Sequence, residues 1–225
     1  ALPGMCPVTD AVEALAHHSA STDRGAVFTR REVVDFMLDL IGYTADADLF
    51  KYRLLEPSMG EGDFLLRAVQ RLLQSWSRSG LPSSALDGCI RAVELHHHSY
   101  LHTSASVQTL LCQFGVPAQE AARIAGLWLV QGDFLLAALP GEFDFVVGNP
   151  PYVRQELIPA ALLREYRRKY QTLFDRADLY VPFIERGLRL LRPGGQLAFI
   201  CADRWTKNRY GGPLRALVAD GFHLK

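Results

Sequence analysis

The sequence lacks the marks of several large classes of protein. Its four cysteines, Cys6, Cys89, Cys112 and Cys201, stand far apart with no Cys-x-x-Cys pair. Buried free thiols are therefore expected, not a disulfide framework or a zinc site, and no metal is called for. No apolar run approaches membrane length, so no membrane contact is expected. The opening Ala1-Leu2-Pro3-Gly4-Met5 shows no basic stretch ahead of an apolar core and does not read as a secretory signal. Net charge is absent too: 24 Lys and Arg balance 24 Asp and Glu. A free-standing binder of duplex nucleic acid is usually more basic. Gly60-Glu61-Gly62 has no third glycine at dinucleotide spacing, and no Gly-Lys-Ser or Gly-Lys-Thr occurs, which argues against a dinucleotide fold and a P-loop.

What is present is a repeated unit in a chain of 225 residues, long enough for one α/β domain. Arg53-Leu54-Leu55-Glu56 reads as a strand ending in an acid, followed by a glycine turn and a helix from Leu65 to Trp76 with its apolar face at 65, 66, 69, 72 and 73. The glycines let backbone approach a ligand closely at the strand's carboxyl edge. Cys89 to Leu95 is a second strand, whose Glu94 can accept two ribose hydroxyls as comparable acids do in nucleotide folds. Its bland reading is a helix-capping glutamate. A helix to about Phe114 follows, and Trp128 to Phe134 is a third strand and turn carrying Asp133.

The fourth strand, Phe143 to Gly148, runs into Asn149-Pro150-Pro151-Tyr152. The prolines have fixed φ and no N–H, and Pro150 pushes Asn149 toward extended geometry. The Asn149 side-chain oxygen and the Pro150 carbonyl can then face one amino group, with Tyr152 placed to stack on the ring that carries it. Two neutral acceptors suit methylation of an exocyclic amine, whose lone pair is otherwise delocalised into the ring. The bland reading is a strand-to-loop turn.

Asn149 to Tyr152 resembles the catalytic motif of S-adenosylmethionine-dependent N6-adenine DNA methyltransferases. The acid-Pro-x-x-Gly-x-Gly-x-Phe run from Glu56 to Phe64 is similar to that family's cofactor loop. The resemblance covers residues 25 to 225, with the cofactor loop first and the catalytic loop later, the gamma-class order of type IIG restriction–modification and phage-defence methylases. It implies a Rossmann-like class I methyltransferase sheet with helices on both faces, lacking its last strands. It implies S-adenosylmethionine as cofactor, held by Phe28, Thr29, Glu56, Pro57, Ser58, Gly60, Gly62, Phe64, Glu94, Leu95 and Asn149, with Asp133 on the cofactor's adenine amino group and Phe134 against that ring. Arg30 stands where that family commonly has proline. Asn149, Pro150, Pro151 and Tyr152 are the catalytic residues it implies, acting on a flipped adenine in double-stranded DNA. The expected setting is the bacterial or archaeal cytoplasm, at the nucleoid.

Elsewhere the chain is less explicit. Residues 1 to 24 form an N-terminal helical segment with Val12, Leu15 and Ala16 on one face, leaving 25 to 225 as the catalytic domain. Thr29 and Glu32 predict a capping box for a helix whose apolar face is 33, 36, 37, 40 and 41. Arg164, Arg167, Arg168 and Lys169, interleaved with Tyr166 and Tyr170, read either as an exposed basic helix or as a phosphate-contacting flap. Asp178 to Leu191 predicts a helix ended by Arg192-Pro193-Gly194-Gly195, then a fifth strand from Gln196 to Ala202, a last helix, and a sixth strand opening at Phe222. The family's final hairpin and target-recognition domain are not found, so a domain or subunit outside this chain is expected to read DNA sequence. The same pocket also suits a protein glutamine side chain or an RNA base, and an inactive cofactor-binding subunit is a third reading. Labelled cofactor offered to DNA, RNA and protein discriminates among them.

Overall fold

The computed structural model describes residues 7–21 and 29–224, so Phe28 lies outside the described residues. Strand-forming runs bounded by turns produce β1 (Leu54–Glu56), β2 (Ile90–Glu94), β3 (Leu129–Gln131), β4 (Phe143–Gly148) and β5 (Leu191–Phe199). All pair in parallel, in the order β3-β2-β1-β4-β5. β1 and β4 are buried along their whole length instead of alternately, as expected where both faces of a sheet are covered.

Two compact units share the chain: residues 27–149 with 190–199, and residues 1–26 with 150–189 and 200–225. The first unit holds the sheet with α2 (Arg31–Leu40), α3 (Asp63–Ser77), α4 (His97–Gln113) and α5 (Ala118–Trp128). Leu65, Val69 and Leu72 of α3, Val107 and Leu111 of α4, and Ile124 of α5 are buried with the strands' Leu54, Leu55, Val93, Val146 and Val147. The second unit holds α1 (Pro7–Ser21), α6 (Ala160–Lys169), α7 (Tyr180–Arg189), the single turn α8 (Arg204–Lys207) and α9 (Gly212–Gly221). Within it α1 packs on α6, burying Ala11 and Leu15 on one helix and Leu162 and Tyr166 on the other.

Four local expectations need correction. The capping box does not form: α2 starts at Arg31, its N-cap is Arg30 with no side-chain cap, and the Thr29 amide donates instead to Asp63 Oδ2 at 2.8 Å. The buried face of α2 is Val34, Met37, Leu38 and Ile41, while Val33, Phe36 and Leu40 are exposed, Phe36 at 64%. Ion pairs set that rotation: Arg71 reaches Asp35 at 2.9 Å and Asp39 at 2.6 Å, and Arg67 reaches Asp35 at 2.6 Å. Arg192 to Gly195 does not end a helix; it bulges inside β5, because Phe143 already pairs with Leu191 while Phe145 pairs with Gln196. Finally, Phe222 to Leu224 form no strand; α9 ends at Gly221 and an extended segment follows.

Candidate active site at the carboxyl edge of the sheet

The strand order makes a switch point. The chain steps outward from β1 to β2 and β3, then returns to lay β4 on the other side of β1. Connections leave β1 and β4 in opposite directions, and ligands of such sheets bind outside the carboxyl ends of that pair. Glu56 closes β1 and Gly148-Asn149 closes β4. The two ends adjoin: a Cβ added at Gly148 would lie 3.6 Å from Glu56 Cγ.

Backbone geometry then shapes the loop after β1. Gly60 and Gly62 have φ of +50° and +93°, a region glycine enters without the steric cost of a Cβ. The Met59 amide donates to Val93 O at 3.0 Å and the Gly62 amide to Met59 O at 2.8 Å. Glu94 accepts from the Gly60 amide on one carboxylate oxygen and from the His96 amide on the other, both at 2.8 Å. Each carboxylate oxygen has a second lone pair, so this clamp is compatible with two further hydroxyl donors. The first turns of α4 buttress the loop: Thr103 Oγ1 donates to Gly60 O at 2.8 Å, and Glu61 receives Ser99 Oγ at 2.8 Å and pairs with His102 Nδ1 at 2.9 Å.

Asp133 is held one strand over. The Gly132 amide donates to Glu94 O at 2.8 Å, and Asp133 Oδ1 accepts the Leu135 amide at 2.8 Å, fixing an Asx turn. On the other flank, Thr29 Oγ1 accepts from Asn149 Nδ2 at 3.4 Å, while Asp63 anchors the Thr29 backbone. Glu56, Glu94, Asp133, Thr29 and Asn149 thus share the carboxyl edge and its rim. Of the remaining expected residues in this unit, Pro57, Phe64 and Phe134 are buried, and Ser58 and Leu95 are half-buried.

Glu56 is the unusual member. It is 1% exposed, and its Oε2 is buried with no hydrogen-bond partner among the described residues. Burial pushes its carboxyl well above the usual carboxylate range, and the neighbouring charges of Glu94 and Asp63 push it further. A buried, unpartnered acid with two more acids beside it does not suit a phosphate. It fits a cationic ligand, and S-adenosylmethionine is cationic at sulfur and at its amino group.

Pro150, Pro151 and Tyr152 belong to the second unit. There the Tyr152 hydroxyl donates to Ile200 O at 3.1 Å, and its ring lies 5.9 Å from that of Tyr180, tilted by 45°. The Tyr180 hydroxyl meets that of Tyr210 at 3.2 Å. Tyr152 stays 37% exposed. The Leu179 amide donates to Val153 O at 2.9 Å, which ties the segment after Tyr152 to the start of α7. Tyr166 and Tyr170 are buried, which removes them from any stacking role, whereas Arg164, Arg167, Arg168 and Lys169 are exposed.

A model of the family described as Eco57I restriction-modification methylase matches residues 106–225, more than half of the chain. The chain belongs to that family. The type II methyltransferase M.PaeR7I of Pseudomonas aeruginosa is 61% identical over 98% of this chain and 39% of its own. Among solved structures, a nuclease-deletion mutant of the type ISP restriction-modification enzyme LlaGI, in complex with a DNA substrate mimic, aligns with TM-score 0.62 and 19% identity over 96% of this chain and 24% of its own. A Listeria monocytogenes protein described as a class I S-adenosylmethionine-dependent methyltransferase aligns with TM-score 0.55 and 15% identity, over 93% of this chain and 59% of its own. The fold is the Rossmann-like one of class I methyltransferases. The chain spans about two-fifths of the length of the curated type II methyltransferases that are 46–61% identical to it.

Sequence reasoning overlooked the buttress of Ser99, His102 and Thr103, although their spacing of three and four on α4 puts them on one helical face. It also overlooked a charge division. Residues 1–149 carry 10 Lys and Arg against 17 Asp and Glu, and residues 150–225 carry 14 against 7. Zero net charge hides an acidic half up to Asn149 and a basic half from Pro150 onward.

Proposed function

We propose that the chain is the catalytic region of a restriction–modification DNA methyltransferase that methylates N6 of adenine. The observation that carries the reading is the placement of Asn149, head of the Asn-Pro-Pro-Tyr run, at the end of β4 beside Glu56 of β1. S-adenosylmethionine, when bound, supplies an electrophilic methyl group. Glu56 and the glycine loop bind its charged end, Glu94 its ribose hydroxyls, and Asp133 its adenine amino group.

The substrate side is the work of the catalytic loop. Base flipping brings an adenine to it, because the target nitrogen cannot be reached inside a duplex. The Asn149 oxygen and the Pro150 carbonyl each accept one N–H of that nitrogen, which turns its lone pair toward the methyl group. Tyr152 stacks on the ring. Both acceptors are neutral and take no proton, so the proton of the methylated nitrogen would pass to solvent. Pro151 keeps the turn rigid, so no reorganisation is needed at the moment of reaction.

Double-stranded DNA is the partner, and the basic half after Pro150 is the surface that meets its phosphates. Arg164 and Arg168 lie one turn apart on α6, away from the buried Leu162 and Tyr166. Sequence choice falls to a target-recognition domain or subunit beyond this region. Bacterial cytoplasm is the setting, on chromosomal DNA; among the described residues no helix is long and apolar enough to cross a membrane. The test offers methyl-labelled cofactor and duplex DNA to the full-length polypeptide. Label in DNA supports the reading, and label only in RNA or in a protein glutamine overturns it.

A further inference from the structure

We propose that the Glu56 carboxyl, enclosed at the end of β1 between Glu94 and Asp63, holds a proton until the cationic cofactor enters and then releases it to solvent. The proposal rests on the reading of S-adenosylmethionine as cofactor and adds a coupled protonation step at that site.

Three observations carry it. Glu56 is buried with Oε2 unpartnered, and an isolated carboxylate in such surroundings is costly unless it is neutral or paired. The titratable groups acting on it are both acids, Glu94 from the end of β2 and Asp63 from the first turn of α3; β4 presents Gly148, which has no side chain. Among the described residues no cation acts on it. Arg67 and Arg71, the cations of α3, are engaged by Asp35 and Asp39. A ligand bringing positive charge to this edge reverses the balance, because an opposite charge within about 4–6 Å favours the ionised acid. The O–H bond of the carboxyl then breaks, its electron pair stays on the carboxylate oxygen, and the proton passes to buffer.

Linkage gives the consequences. Release of a proton on binding makes the cofactor bind more tightly as pH rises, until Glu56 is already ionised before binding. It also makes the calorimetric enthalpy depend on the buffer, by the protons released multiplied by the buffer's enthalpy of protonation. The experiment is titration of the chain with S-adenosylmethionine at pH 7, in two buffers of different protonation enthalpy. About one proton released per cofactor is expected for the native chain, and none for Glu56→Gln, whose amide mimics the neutral acid. Should that variant fail to fold or bind, infrared difference spectra of the native chain supply the answer. The stretch of a protonated carboxyl should vanish when cofactor is added. Binding with buffer-independent enthalpy and no carboxyl band lost overturns the proposal while leaving the cofactor assignment intact. Absence of any S-adenosylmethionine binding overturns the cofactor assignment, and this proposal with it.

Discussion

Glu56 sits inside the fold with two acids and, among the described residues, no base acting on it, and that has a cost for the protein before any ligand arrives. Its folded-state carboxyl titrates above its unfolded counterpart. The stability it leaves intact is therefore fully present below the ordinary carboxylate range and is lost as pH rises through the folded value. Glu56→Gln removes that loss. The variant's melting temperature without cofactor should exceed the native value by a margin that widens between pH 5 and pH 8; thermal unfolding at both pH values checks it, and a constant margin contradicts it. Asp133 makes a separate prediction, since it holds an Asx turn and is the acid proposed to accept from the cofactor. Asp133→Ala should weaken S-adenosylmethionine by about 1–3 kcal/mol, the range for a stranded polar partner, as read by calorimetry. These acids were legible in the sequence because each follows an apolar strand directly. The contacts that orient them were not: Glu94 grips the amides of Gly60 and His96, groups every residue possesses, so composition leaves no trace of them.

Among elements, the glycine loop is the one whose conformation the site depends on. Gly62 holds φ at +93°, and a Cβ there would meet Leu66 Cγ at 3.1 Å and Thr103 Cγ2 at 3.2 Å. Gly62→Ala should destabilise the fold by about 1–3 kcal/mol, measured by urea unfolding, through strain at this special backbone angle. A second consequence concerns acid. Burial tends to raise the Asp35 carboxyl, but hydrogen bonds and charge from Arg67 and Arg71 outweigh it and leave it below the usual value. The α2–α3 clasp is thus stable above the ordinary carboxylate range and weakens as pH falls through the lowered value. The strands were readable from apolar runs closed by turns. The face of α2 was not, because 33, 34, 36, 37, 38, 40 and 41 are all apolar and several stripes qualify. Only the pairing of Asp35 and Asp39 with arginines 32 and 36 residues away selects one. The bulge at Pro193 was misread for a similar reason: Pro-Gly-Gly looks like a terminator wherever it stands, and long-range pairing of Phe143 and Phe145 decides otherwise.

For the whole molecule, the division of charge ranks above its sum. The basic half after Pro150 predicts a salt-dependent attachment to DNA, with the outward arginines of α6 contributing. Replacing Arg164 and Arg168 by Gln in the full-length polypeptide should weaken DNA binding and make the slope of log affinity against log salt shallower by roughly 1–2 units. Cofactor binding should not change, and an unaltered slope would remove α6 from the DNA surface. The Glu56-to-Phe64 run followed later by Asn-Pro-Pro-Tyr pointed in the sequence to the family that the comparisons bear out. The sequence did not show that the chain is shared between two compact units, because residues far apart in sequence compose each of them. The central claim, that Asn149 presents an adenine nitrogen to a methyl donor at this edge, has one most direct measurement. The full-length polypeptide is given methyl-labelled S-adenosylmethionine and duplex DNA, and the DNA is digested to nucleosides. Label should appear in N6-methyl-2′-deoxyadenosine, and Asn149→Ala should abolish it while still binding cofactor; label in a deoxycytidine product, or undiminished label in the variant, contradicts the account.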